Sequence, residues 1–109
     1  MSEIQIFENE QFGSIRTIEI DEMPWFVGKD VATVLGYKNT KDALLRHVDS
    51  EDKMDGVAFH DPIGRLQKPV LINESGLYSL ILSSKLPSAK AFKRWVTSEV
   101  LPTIRRHGF

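Results

Sequence analysis

Cysteine is absent from the 109-residue chain, which excludes disulfide frameworks, thiol nucleophiles and thiolate metal sites and fits a reducing compartment. No apolar run approaches the roughly 20 residues of a bilayer span, and no apolar segment follows a basic start. The expectation is therefore a cytoplasmic protein, and the sequon Asn73-Glu74-Ser75 is read as chance. The three histidines, His47, His60 and His107, show no ligand spacing with one another. No Gly-rich phosphate loop is present, and Ser75-Gly76 lacks the leading glycine of a nucleophile elbow. His60-Asp61 reads as a strand end entering a turn. No catalytic residue, metal site, cofactor or small-molecule substrate is assigned, and no enzymatic activity is expected.

What is present is a polarised charge. The net charge is −1, yet residues 1–63 carry 6 Lys/Arg against 13 Asp/Glu, and residues 64–109 carry 8 against 2. Such a chain can offer a basic face to nucleic acid while staying near neutral. Equally, its acidic half can pair with its basic half. At this length one domain buries roughly 65% of its unfolded surface and needs no covalent staple.

The pattern predicts an α+β domain with small antiparallel strand pieces and four helices. Glu3–Phe7, Ser14–Ile20 and Trp25–Val27 read as a strand meander, with turns at Glu8–Gly13 and Asp21–Pro24. From Gly28 the apolar period becomes helical, with Asp30 as N-cap, Val31, Val34 and Leu35 in register, and Gly36 as the stop. Asn39 or Thr40 caps a second helix carrying Leu44, Leu45 and Val48, and Asp42 complements its dipole. Asp49–Asp55 reads as a solvated loop. Val57–Phe59 and Lys68–Ile72 form a second strand pair around Asp61-Pro62-Ile63-Gly64, with Pro69 at a strand start or on an edge. A helix over Glu74–Ser84 precedes a break at Ser83–Pro87, and a long helix runs from about Ser88 to His107, interrupted at Pro102. Glu99 falls within the apolar face of Phe92, Trp95 and Val96, and is expected to need a buried partner.

Two surfaces suggest chemistry. The pair of short helices over Asp30–Val48 has the proportions of a helix-turn-helix, with Ala32 four residues before Gly36. The register slips at Asp42, and one inserted turn residue would restore it. Lys38, Asn39, Thr40 and Lys41 then stand at the start of the second helix, where donors and dipole suit a phosphate. Asn39 and Thr40 also suffice as simple caps. On the terminal helix Lys90, Lys93, Arg94 and Thr97 share one face, opposite Phe92, Trp95, Val96 and Val100. With Lys85 and no acid over Lys85–Ser98, this face suits phosphate neutralisation; an ordinary solvated face looks the same. Trp95 reads as core.

Three blocks carry a family resemblance: Trp25-Phe26-Val27-Gly28-Lys29-Asp30-Val31-Ala32 to Leu35-Gly36-Tyr37; Leu71-Ile72-Asn73-Glu74-Ser75-Gly76-Leu77-Tyr78; and Phe92-Lys93-Arg94-Trp95-Val96 through Glu99-Val100-Leu101-Pro102 to Ile104-Arg105. In order and spacing they resemble the N-terminal BRO domain that opens baculovirus BRO proteins and many prophage antirepressors. The resemblance implies a single α+β domain over 1–109 implicated in DNA binding and transcription regulation. It also implies a different C-terminal domain in full-length relatives; this chain stops at Gly108-Phe109, as a fragment or a short stand-alone form. No catalytic residues come with the family. The expected partner is DNA; the rival reading is a protein-interaction module that binds a repressor or forms a homo-dimer.

Overall fold

The computed structural model describes residues 4–55, 58–60 and 63–108. Three strands come first: β1 (Ile4–Asn9), β2 (Gly13–Ile20) and β3 (Met23–Val27). The Asn9 side chain accepts the N–H groups of Gln11 and Phe12 at 2.8 and 3.2 Å, which shapes the first turn. The second turn is tighter than the sequence suggests. Ile20 pairs with Met23, and Asp21 and Glu22 between them both have positive φ, 52° and 65°. This is the backbone of a type I′ hairpin, whose twist matches the strands it joins. Met23 and Pro24 therefore belong to β3 rather than to the turn.

α1 (Gly28–Val34) follows β3 directly and α2 is Thr40–His47. A 3₁₀ turn at Ser50–Asp52 and β4 (Lys53–Met54) occupy the stretch expected as loop. β5 (Phe59–His60) pairs with β6 (Leu66–Gln67) in a separate hairpin. β7 (Leu71–Ile72) enters the main sheet instead of pairing with the segment near Phe59, as alternation alone suggested. Val57, Asp61 and Pro62 lie outside the described residues. The main sheet is antiparallel with order β1-β2-β3-β7-β4.

α3 (Glu74–Ser83), α4 (Ala89–Trp95) and α5 (Leu101–Gly108) complete the chain, with α4 and α5 joined by a π-helical turn at Val96–Val100. The helices cover one sheet face. Ile15, Phe26 and Ile72 meet Val31, Leu44, Leu77, Phe92 and Leu101 there, all buried. Burying each large apolar side chain contributes roughly 1.5–3 kcal/mol, so this layer dominates the stability. Ile18, Val27 and Leu71 form a smaller cluster on the other face.

Two expectations are corrected here. Asp30 is not a cap: α1 already begins at Gly28, with Val27 as the N-cap residue. Its carboxylate reaches back to β2, where Oδ2 accepts the backbone N–H and Nε–H of Arg16 at 2.9 and 2.8 Å and Oδ1 accepts from its Nη2 at 2.9 Å. Glu99 is exposed, not buried. The wide turn inserts one residue into the helical phase. Leu101, at 1% exposure, is brought in beside Val100 at 0%, and Glu99 is turned out. The interruption thus precedes Pro102, spreading over the turn whose hydrogen bond the proline cannot make. Hydroxyls answer the loosened carbonyls: Ser98 Oγ donates to the Arg94 oxygen at 2.6 Å, and Thr103 Oγ1 donates to that of Glu99 at 2.7 Å.

Candidate nucleic-acid interface

The α1–α2 connection is fixed by a glycine with no substitute. Gly36 has φ +85°, the left-handed conformation that closes a Schellman end. Its N–H donates to the Thr33 oxygen at 3.1 Å, and the Tyr37 N–H donates to that of Ala32 at 3.0 Å. A Cβ on Gly36 would lie 2.6 Å from Leu86 Cδ1. The α3–α4 linker thus lies directly on this turn, and Ser84 Oγ donates to the Leu35 oxygen at 2.8 Å. Tyr37 adds a second tie, donating its hydroxyl to the Leu80 oxygen at 2.8 Å. Burial pushes that hydroxyl above its ordinary pKa of 10.0, against a smaller opposing effect from a hydrogen bond with Ser83.

This joint sets the two sequence-derived patches side by side at their ends. Lys38 follows the Gly36-Tyr37 turn, Lys85 sits between Ser84 and Leu86, and both are exposed. Asn39 is the cap of α2, its side chain accepting the Asp42 N–H at 2.9 Å. Thr40 is the first helical residue and is half-buried; Lys41 is exposed. Lys41 and Lys53 border a cavity of about 380 Å³ floored by Leu44, Met54 and Val70. Lys53 donates to the Leu44 oxygen at 3.0 Å.

α4 presents Lys90, Lys93 and Arg94 to solvent, all exposed. Lys90 and Arg94 line a shallow depression with Pro87 and Ala91. The opposite side of α4 is anchored by Phe92 and Trp95, and Trp95 stacks on Phe12 at 5.8 Å between ring centres. Trp95 is 8% exposed, so it is core as expected and not a platform for a base. Phe12 was not legible as part of this support, because an aromatic in a polar turn carries no periodic signal.

Three ion pairs among the described residues each stay within one half of the chain. Arg16–Asp30 and Arg46–Asp42 lie within residues 1–63, and Arg105–Glu74 lies within the rest. Among the described residues, no carboxylate holds Lys38, Lys41, Lys85, Lys90, Lys93 or Arg94. Nor does any described group of His, Asp and Glu have the arrangement of a metal site. No helix among the described residues is long and apolar enough to cross a membrane.

Together these features define a two-layer α+β domain with a basic helical rim. The BRO family, N-terminal domain, matches residues 14–102. The chain belongs to that family. It is 45% identical over 103 residues to a putative Bro-N domain-containing protein of Invertebrate iridescent virus 6, covering 80% of this chain and 25% of the relative. It is 42% identical over 86 residues to an uncharacterized protein of Haemophilus influenzae, covering 77% and 41%. With an uncharacterized Bro-N domain-containing protein of Autographa californica nuclear polyhedrosis virus it shares 33% over 112 residues, covering 90% and 34%. The chain thus spans a quarter to two-fifths of the length of these relatives. No solved structure matches it closely enough to count.

Proposed function

We propose that this domain is a non-enzymatic DNA-binding module of a phage or prophage antirepressor-type regulatory protein, and that it contacts duplex phosphates. The observation that carries this reading is the set of exposed cations with no carboxylate partner: Lys90, Lys93 and Arg94 on α4, with Lys85 and Lys38 at the joint. Unpaired lysines and arginines on a rigid helix release counterions from DNA without first breaking an internal salt bridge. Lys41 and the N–H groups of the α2 start that Asn39 leaves uncapped are a second set of donors that suits a phosphate.

The contacts described are to backbone, so the affinity depends on salt and hardly on sequence. Fluorescence anisotropy of an unrelated labelled duplex across a salt series tests this. The expected result is binding at low salt, with log affinity falling linearly with log salt. Absence of binding at the lowest salt would overturn the proposal and favour the protein-interaction reading.

A further inference from the structure

We propose that β1 is the pairing edge for a second copy of this chain, in an antiparallel β1–β1 ladder about a two-fold axis. The sheet has two edges, and they differ. β4 is two residues long and begins with Lys53, a short, charged edge of the kind that resists pairing. β1 has six residues, Ile4–Asn9, and contains no lysine, arginine or proline. It pairs with β2 on one side, and among the described residues no strand pairs with the other. Its free backbone donors and acceptors therefore call for an extended strand.

The side chains say which strand fits. Ile4 and Ile6 lie opposite Ile18 and Arg16 in the register with β2, and so share the outer sheet face. That face continues through Ile18, Ile20, Trp25 and Met54, where a one-sided sheet would carry polar residues. Ile6, at the free edge, is 52% exposed. Antiparallel pairing centred on Ile6 sets Ile6 against its own copy and Gln5 against Phe7. Ile4 then stands against Glu8, the one charge in β1, so neither glutamate faces the other. Arg16, on the next strand, is already neutralised by Asp30. The ladder is thus self-complementary in side-chain pairing and in charge. A single ladder only about 20 Å long makes a small contact, where a stable interface buries roughly 800 Å² per partner. The dimer is accordingly weak and reversible, and it does not depend on DNA.

Sedimentation velocity over a concentration series, without DNA, reads the pairing directly. The wild type shifts reversibly from monomer to dimer, and Ile6→Lys weakens the dimer by about tenfold or more while the protein stays folded by circular dichroism. Should Ile6→Lys fail to fold, Ile6→Thr keeps the strand preference and removes most of the apolar contact. Hydrogen exchange supplies a readout without mutation, as β1 amides gain protection with rising concentration and β4 amides do not. A protein that stays monomeric at every concentration overturns the proposal, as does a dimer unaffected by the change at Ile6.

Discussion

Asp30 accepts three hydrogen bonds from Arg16 with its side chain only 15% exposed, so its loss removes two charge-assisted bonds to the guanidinium and one to a strand N–H at once. Asp30→Ala should lower stability by about 1.5–3 kcal/mol, the range for hydrogen bonds to a charged group; urea denaturation measures it. The sequence showed an acid near a helix start and suggested a cap, because a contact 14 residues back in the chain leaves no periodic trace. Asn39 was legible, since capping is local. The chain's two tyrosines give a pH prediction. Burial raises both above 10.0, and Tyr78 is pushed further by the Glu74 carboxylate it donates to, while Arg105 opposes this. The folded protein thus holds phenolic protons that the unfolded chain releases near 10. Their contribution is complete below that pH and is lost as pH rises through the folded values. A tyrosinate absorbance titration should show both groups ionising above 10.0 as structure is lost; ionisation at 10.0 with the fold intact would contradict this.

At the scale of elements, the helices were legible because their apolar period is strong, and their joints were not. Gly36 read as a stop, but nothing in the pattern placed Leu86 2.6 Å from where its Cβ would be. Gly36→Ala therefore combines a left-handed backbone with a clash and should cost about 1–3 kcal/mol, measured by thermal unfolding. The last helix shows the reverse case. A regular 100° step puts Glu99 into the core, and the π turn before Pro102 turns it out. Glu99→Leu should accordingly change stability by less than about 0.5 kcal/mol, as for an exposed site. A larger loss would mean the carboxylate has a structural partner.

At the scale of the molecule, the three-strand meander and its helical cover could be read from alternation and period. The position of β7 could not, because a two-residue strand is too short to show a pattern and its place depends on pairing with β3 and β4. The basic face was legible in composition and helical phase. That the described acids of the first half leave it unpaired was not, since ion pairing between distant segments is a property of the fold. The central claim is that this face meets DNA phosphates. Its most direct test is the difference in salt dependence between the wild type and the triple variant Lys90→Ala, Lys93→Ala, Arg94→Ala, on one duplex by fluorescence anisotropy. Each phosphate contact adds about 0.9 to the slope of log affinity against log salt. The account predicts that the variant stays folded, because these side chains point away from Phe92 and Trp95, and that its slope is shallower by up to about 3. A variant that binds with the wild-type slope would contradict it.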